Sequence, residues 1–326
     1  MRVNGLLSGS PADAGALAKS YEQAGAAGLL TTETQHDPFM TLSVAAQATD
    51  RIELQTAIAV AFARNPMSLA YIANDLQLIS RGRLTLGLGS QIRAHITRRF
   101  NMPWSDPIPR MREMVAALRA IWRAWNEDER LNFRGDYYQH TLMTPFFSPA
   151  PNPFGPPRIV LAAVGERMAE LAGEVADGIQ LHPFTTARYI REVSLPAVER
   201  GLTRSGRKRS DFQVGLTVFA AIDEPTERLA RQQLSFYGST PAYRDVLALH
   251  GWGELQSELN SLSRTGAWND MAALIDDDVL DAFALSCDPG DLARELRTRY
   301  HGLVDRVAFY APFAPDGNLI AAIQSR

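Results

Sequence analysis

The amino-acid sequence predicts an α/β protein whose strand–helix units close into a (β/α)8 barrel. Residues 54–60 form a near-continuous apolar run, which is typical of a strand buried on both faces. Apolar side chains then recur at helical spacing over residues 66–79, with Pro66 and Gly82 where a helix begins and ends. Residues 84–88 form a second apolar run, so this stretch predicts a βαβ unit with parallel strands. Several further units of this kind favour a closed barrel.

The other units follow the same alternation in chain order. Two strands and two helices precede the βαβ unit, and Gly25 closes the first helix. A strongly amphipathic helix that begins near Pro109 follows it, and four more strands complete the barrel. The predicted strands cover residues 3–7, 28–32, 54–60, 84–88, 159–162, 177–184, 212–220 and 304–310. The range 177–184 includes the residues by which the chain leaves the sixth strand.

Two segments interrupt the alternation inside an expected single domain over residues 1–326. Residues 127–157 lack helical periodicity, and so long a connection tends to form a lid or a hairpin over a site. Residues 238–285 are helical in pattern without strands, which predicts a helical insertion before the last barrel unit. Four aromatic residues of the first segment are expected to close the substrate side: Tyr137, Tyr138, Phe146 and Phe147.

Composition and charge exclude several classes of function. The formal net charge is −3, so the chain has no basic field that would attract nucleic acid or an acidic membrane surface. The single cysteine, Cys287, excludes an intramolecular disulfide and a cysteine-only zinc site. No apolar run has the length of a signal peptide or a membrane span, so we expect a cytoplasmic protein.

Candidate catalytic residues follow the second and sixth strands, because barrels of this class place their sites at the carboxyl ends of the strands. Glu33, Gln35 and His36 bring together an acid, an amide and an imidazole after the second strand, and His182 follows the sixth. Since imidazole titrates near neutral pH, His36 is the first candidate acid or base and His182 the second, with Glu33 and Gln35 in support. Position alone also leaves a structural role open for each histidine.

Small residues occupy two other strand ends. The third strand carries Ala57, Ile58 and Ala59, and the fourth ends in Gly89 and Ser90. Taken alone, these patterns are also compatible with a packed barrel strand and an ordinary strand-to-loop turn.

A glycine turn follows the fifth strand. Val164 and Gly165 lead directly into a helix that carries Arg167 and Met168. Such a turn presents free backbone N–H groups at the helix amino terminus to an anion. The structural alternative is a plain turn in which Glu166 complements the helix dipole.

The order and spacing of these residues resemble the bacterial luciferase-like family of flavin- and deazaflavin-dependent barrel enzymes. The resemblance covers essentially the whole chain, and within the family it is strongest to the branch that uses coenzyme F420, a 5-deazaflavin. The segments that carry it are Glu33-x-x-His36-Asp-Pro-Phe, Leu54-Gln-Thr-Ala-Ile-Ala-Val, Arg64-Asn-Pro66, Ser80-Arg-Gly-Arg-Leu-Thr-Leu-Gly-Leu-Gly-Ser90, Ala162-Ala-Val-Gly165 and Ala176-Asp-Gly178.

The resemblance implies a role for each strand end. It places a non-proline cis peptide at Ala57-Ile58, or as a second choice at Ile58-Ala59, against the cofactor ring. We therefore predict a cis peptide or a β-bulge between Ala57 and Val60. By the same resemblance, Gly89 and Ser90 lie beside the ribityl chain of the cofactor. The residues implied around its phosphate are Val164, Gly165, Arg167 and Met168.

The implied function is an oxidoreductase that passes a hydride between C5 of F420 and a small organic substrate. Two alternatives stay open: an FMN-dependent monooxygenase that works with a partner flavin reductase, and a non-catalytic flavin-binding barrel. Metal-dependent hydrolysis is disfavoured because the usual His-x-His near the first strand is absent. Families of this type often dimerise through the helices after strands two and three, so a homodimer is expected.

Two departures from the family pattern bear on the substrate. Some F420-dependent sugar-phosphate dehydrogenases have a glutamate just after the fourth strand, where this chain has Gln91-Ile92. Their histidine after strand two aligns with Gln35 as well as with His36, depending on a shift of one residue. A sugar-phosphate substrate and the identity of the proton donor are therefore left open.

Overall fold

The computed structural model describes residues 1–310 and 312–325. Its strands are β1 Arg2–Leu7, β2 Gly28–Thr31, β3 Glu53–Thr56, β4 Ala59–Val60, β5 Leu84–Gly89, β6 Phe133–Arg134, β7 Gln139–His140, β8 Arg158–Ala163, β9 Gly178–Leu181, β10 Gln213–Ala221, β11 Ala284–Ser286 and β12 Arg306–Phe309. Parallel strands close a barrel in the order β1, β2, β3, β5, β8, β9, β10 and β12, and β12 pairs again with β1. The predicted (β/α)8 barrel is confirmed.

Helices surround the barrel. They are α1 Ala14–Gln23, α2 Pro38–Ala48, α3 Pro66–Ile79, α4 Pro107–Asn126, α5 Glu166–Val175, α6 Ala187–Tyr189, α7 Leu195–Ser205, α8 Glu224–Gly238, α9 Arg244–Ala248, α10 Gly253–Thr265, α11 Trp268–Ala273, α12 Asp277–Phe283, α13 Leu292–Tyr300 and α14 Gly317–Gln324. Shorter helical turns cover Ala61–Ala63, His95–Arg99, Ile190–Ser194, Arg209–Asp211, Pro241–Tyr243 and Pro289–Asp291. The predicted limits of α3 are confirmed, because Asn65 caps it by accepting the N–H of Ser68 at 3.0 Å and Gly82 follows its end at φ 85°.

The third barrel strand is interrupted between β3 and β4. The Ala57-Ile58 peptide bond is cis. Gln55 pairs with Thr85 and Ala59 pairs with Leu88, so this strand carries one residue more than β5 between the two pairs. An extra residue of this kind is a β-bulge. The prediction for this strand is confirmed in both of its forms.

A polar layer crosses the middle of the barrel. Gln55 Nε2 donates to Gln180 Oε1 at 3.1 Å, and Gln180 Nε2 donates to Thr217 Oγ1 at 3.5 Å. These side chains therefore point into the barrel from β3, β9 and β10. Side chains two positions apart on a strand lie on the same face. The side chains two positions after these three therefore also point into the barrel, nearer to its carboxyl end, which we call the mouth.

The segment 127–157 forms a hairpin of β6 and β7 that is fixed to α4. The carboxylate of Glu113 accepts three successive backbone N–H groups of the hairpin turn, at 2.9, 2.8 and 2.5 Å. Arg110 Nε donates to the hydroxyl of Tyr138 at 2.9 Å. The turn is thus held by one charged side chain and one phenol contact.

The second half of this segment departs from the expectation of an aromatic closure. Phe146 and Phe147 are 90% and 64% exposed, and the two rings contact one another at a centroid distance of 5.1 Å. The carbonyl oxygen of Phe147 accepts a hydrogen bond from the hydroxyl of Tyr71 on α3 at 2.5 Å. This contact holds the segment against the helical layer and leaves both side chains in solvent.

Helices α9 to α12 lie between α8 and β11, and we call them the helical insertion. They pack on α8 and on the carboxyl ends of β9 and β10 to form a second apolar core, which includes Phe184, Phe219, Leu247 and Phe283. The insertion ends in β11, which pairs with the end of β10. That strand was not predicted, since three residues are too few to show an alternating pattern.

Two structural features are absent from residues 1–310 and 312–325. No helix in these ranges is both long enough and apolar enough to cross a membrane. The same ranges contain no group of three or more His, Cys, Asp or Glu side chains that could hold a metal ion.

Candidate functional site

The mouth has two unlike sides, set by which strands contribute to each. One side is formed by β3, β4, β5 and the residues next to them. We call it the small-residue side, and it consists of Ala57, Ile58, Gly89 and Ser90. On the other, β9, β10 and β12 lead into a set of aromatic residues. In the strand order of the barrel these two groups of strands lie opposite one another.

Backbone approaches closely on the small-residue side. A Cβ on Gly87 would lie 1.8 Å from the carbonyl oxygen of Thr56, and a Cβ on Gly89 would lie 2.7 Å from the Ile58 side chain. Glycine is therefore required at position 87, where the clash is with backbone, whereas a Cβ at position 89 would make the Ile58 side chain shift. Ala57, Ile58 and Ser90 are half-buried, and Ala59 is fully buried.

Glu33 lies in an ion pair beside the interrupted strand. Its Oε2 accepts the backbone N–H of Val60 at 2.7 Å and Nη1 of Arg64 at 2.6 Å. Arg64 also donates to Asp37 at 2.7 Å. Burial by itself lowers the pKa of Arg64, but its carboxylate partners more than offset that effect and the pKa is raised. The contacts give Glu33 a structural role in holding β4.

The other two candidates after the second strand are at the rim. Gln35 and His36 are exposed. The backbone of this segment is bonded by a residue from the loop after β5: Arg99 Nη2 donates to the carbonyl oxygen of Thr34 at 2.7 Å. In the described part of the chain, residues 1–310 and 312–325, no hydrogen bond joins His36 to Glu33 or to His182.

The glycine turn opens α5 as expected. Gly165 is the residue before the helix, at φ −80° and ψ 155°, and no side chain caps the first turn. A Cβ on Gly165 would meet no protein atom within 4 Å. Arg167 is exposed, while Val164 and Met168 are half-buried. The turn thus combines free N–H groups with open space.

His182 lies in what we call the aromatic wall, which consists of His182, Tyr237, Tyr243 and Tyr310. Its ring centroid lies 4.7 Å from that of Tyr237 and 5.0 Å from that of Tyr243. The hydroxyls of Tyr237 and Tyr310 are 2.9 Å apart. Burial lowers the pKa of His182 to about 4, and burial is also the main cause that raises the pKa of all three phenols. The wall is therefore uncharged at neutral pH.

The three tyrosines were not predicted as site residues. Tyr310 could have been found, because it stands two positions beyond Ala308, which pairs with the inward-facing Thr217. Tyr237 and Tyr243 come from α8 and from the turn after it, outside the barrel pattern. No spacing in the sequence relates them to His182.

A groove of about 1160 Å³ lies at the opposite, amino end of the strands. Many arginines line it, and carboxylates bind several of them: Arg119 donates to Asp177 at 3.3 Å and Arg209 to Asp305 at 3.1 Å. Asp305 also accepts the backbone N–H of Val214. These contacts tie the loops of the barrel floor together. Barrel enzymes carry their chemistry at the other end, which favours the mouth as the site.

Comparison with known proteins bears on the family of this chain. The profile of the luciferase-like monooxygenase family matches residues 2–306. An uncharacterized protein of Mycobacterium tuberculosis is 51% identical over 313 residues, which cover 94% of this chain and 92% of that protein. The F420-dependent glucose-6-phosphate dehydrogenase of Intrasporangium calvum is 27% identical over 270 residues, which cover 80% of this chain and 75% of that protein.

A solved structure shows the same fold over nearly the whole chain. The coenzyme F420-dependent tetrahydromethanopterin reductase of Methanopyrus kandleri superposes with a TM-score of 0.81 at 19% identity. The match covers 99% of this chain and 96% of that one. From the family profile and the 51% identical relative, the chain belongs to the luciferase-like monooxygenase family.

Proposed function

We propose that this protein is an F420-dependent oxidoreductase that transfers a hydride between C5 of the deazaflavin and a small organic substrate. Two relatives that it resembles are F420-dependent enzymes by name. The observation that carries the proposal is the two-sided mouth, in which a small-residue side faces an uncharged aromatic wall. A planar cofactor and an organic substrate need surfaces of these two kinds.

The small-residue side and the glycine turn fit the cofactor. The backbone of β5 lies against that of β3 at Gly87, and Gly89 adds no side chain beside Ile58, which suits the close approach of a planar ring. The free N–H groups after Gly165 suit a phosphate, since a helix amino terminus attracts anions. Ser90 follows β5, and Arg167 lies in the first turn of α5. Bound there, F420 supplies a carbon that accepts or releases a hydride.

Proton handling is proposed for the two histidines. His36 is exposed at the rim, where its ring can reach a bound substrate, and it stays the first candidate acid or base. His182 is held neutral and acts as a hydrogen-bonding group. Gln35 is proposed to support His36 as a polar neighbour at the rim. Glu33 is proposed to support Gln35 and His36 by fixing the backbone at Val60.

A fluorescence titration of the purified protein with F420 and with FMN tests this function. F420 is expected to bind at least about tenfold more tightly, a difference of about 1.4 kcal/mol. Equal or reversed affinities would favour an FMN-dependent monooxygenase that works with a partner reductase. Tight F420 binding without turnover of any substrate by the loaded protein would favour the non-catalytic barrel.

We also propose a cytoplasmic homodimer. Apolar residues on the outer faces of α2 and α3 are exposed, between 37% and 63%, which is unusual for side chains of this size unless they are covered by a partner. They are Met40, Val44, Ile72, Leu78 and Ile79. A second copy of this chain is the proposed cover.

A further inference from the structure

The side chain of His182 points into the mouth. Gln180 hydrogen-bonds inside the barrel to Gln55 and Thr217, and His182 follows it by two positions. The strand geometry persists to this point, because the backbone N–H of His182 donates to the carbonyl oxygen of Ala163 at 3.2 Å. His182 therefore shares the inward face of Gln180, one layer nearer the mouth.

One ring nitrogen of His182 is already occupied. Nδ1 accepts the backbone N–H of Phe184 at 3.0 Å, so in the neutral ring the proton is on Nε2. Nε2 has no hydrogen-bond partner among residues 1–310 and 312–325. Burial keeps the ring neutral, which makes Nε2–H a fixed donor rather than a proton carrier.

The aromatic side chains that contact this donor are uncharged. The rings that contact His182 belong to Tyr237 and Tyr243. The phenol of Tyr310 donates to Gln233 Oε1 at 3.2 Å, so the hydroxyl of Tyr237 donates to that of Tyr310. A phosphate placed against this wall would lose part of its hydration to phenols and a neutral imidazole, which is costly. An apolar body with one oxygen acceptor would lose little.

We propose that the aromatic wall binds the substrate, and that Nε2–H of His182 donates to an uncharged carbonyl or hydroxyl oxygen on an otherwise apolar molecule. This inference rests on the proposed function and narrows its substrate class. Phosphorylated sugars, which the relative from Intrasporangium calvum oxidises by its name, are excluded from this site. His182 is assigned as a substrate-positioning residue that selects for one oxygen atom.

Ligand binding to the full-length protein tests the assignment, with three probes of defined chemistry. Cyclohexanone is an uncharged ketone, methylenecyclohexane has the same shape without the oxygen, and glucose 6-phosphate carries the anion. Binding is followed by NMR of protein labelled with ¹⁵N-histidine, with and without F420. Cyclohexanone is expected to shift the His182 Nε2 resonance and to bind more tightly than either other probe. An unmoved His182 resonance at saturating ketone, or tighter binding of glucose 6-phosphate, would overturn the proposal.

Two variants separate the hydrogen bond from packing. His182→Phe keeps an aromatic ring and removes the donor, and it is expected to weaken ketone binding about tenfold, the value of one neutral hydrogen bond. His182→Gln keeps an N–H donor and is expected to recover most of that loss. His250→Phe is the matched control, because His250 bonds Thr186 at 2.9 Å outside the wall. Ketone affinity unchanged in folded His182→Phe would contradict the assignment.

The F420 titration keeps the two proposals distinguishable. If F420 fails to bind while the ketone still requires His182, the cofactor proposal fails and the binding site stands. If F420 binds to wild type and His182→Phe alike but the ketone ignores His182, the substrate inference fails alone. Should His182→Phe not fold, the shift of the His182 resonance in the wild-type protein decides the matter.

Discussion

Glu33 and Arg64 form an ion pair, with Oε2 and Nη1 2.6 Å apart and side chains 7% and 15% exposed. The same oxygen also accepts the N–H of Val60. The pair thus joins the loop after β2 to the residue that follows the helical turn after β4. Because both groups are largely removed from water, loss of Glu33 leaves Arg64 with only the more exposed Asp37 as a charged partner.

Glu33→Gln is expected to lower the free energy of unfolding by about 2 kcal/mol, since a neutral amide replaces a carboxylate in a largely buried pair. Denaturant unfolding of the purified variant measures it. Asp37→Asn is the matched control: Asp37 is 45% exposed, and asparagine keeps its capping bond to Phe39, so a loss below about 1 kcal/mol is expected. Lost activity with unchanged stability would instead assign Glu33 to the chemistry.

The low pKa of His182 predicts a pH dependence of stability. The unfolded chain binds this proton below the ordinary histidine pKa of 6.5, whereas the folded chain binds it only near pH 4. Stability contributed by neutral His182 is therefore full above pH 6.5 and lost as the pH falls toward 4, by up to about 3 kcal/mol. His182→Gln should lose less stability than wild type over this window. Parallel curves for the two proteins in denaturant titrations would contradict the assigned pKa.

Gly165→Val is expected to weaken F420 binding by about tenfold or more while the fold survives, because the added side chain enters the space before α5 that an anion would occupy. No protein atom lies within 4 Å of the new Cβ, so thermal stability should be nearly unchanged. Gly317→Val, whose Cβ would meet only Ala24 at 3.6 Å, is the control. Undiminished quenching of F420 fluorescence by folded Gly165→Val would place the phosphate elsewhere.

The double substitution Ile72→Glu and Leu78→Glu is expected to convert the proposed homodimer to a monomer. Two carboxylates on the outer face of α3 would have to be desolvated in the interface. Light scattering after size-exclusion chromatography reports the mass. Trp268→Glu, on α11 of the helical insertion and 52% exposed in the wild type, should leave the dimer intact. A wild-type mass of one chain would refute the interface at once.

The barrel was predictable from the alternation of strands and helices in the sequence. Apolar runs such as residues 54–60 reflect burial on both faces, which local composition records. The cis bond at Ala57-Ile58 was expected only through resemblance to a family, because a run of alanine and isoleucine does not by itself specify that geometry. Gly165 was recognisable from its place between a strand and a helix.

Contacts between distant residues could not be predicted. His182 and Tyr243 are separated by the whole of β10 and α8, and Glu113 meets a hairpin turn more than a full helix away along the chain. Such pairs depend on how α8 and α4 pack, and no periodicity encodes that. The exposure of Phe146 and Phe147 to solvent was likewise not predictable from the sequence.

The hydrogen bonds between Glu113 and the hairpin turn have a consequence for turnover. Three backbone N–H groups bonded to one carboxylate order the turn when the chain folds, before any ligand arrives. The hairpin beside α4 is thus preorganised, and a ligand that contacts it does not incur the entropy loss of ordering that turn. We therefore expect this hairpin to add no slow opening step to product release.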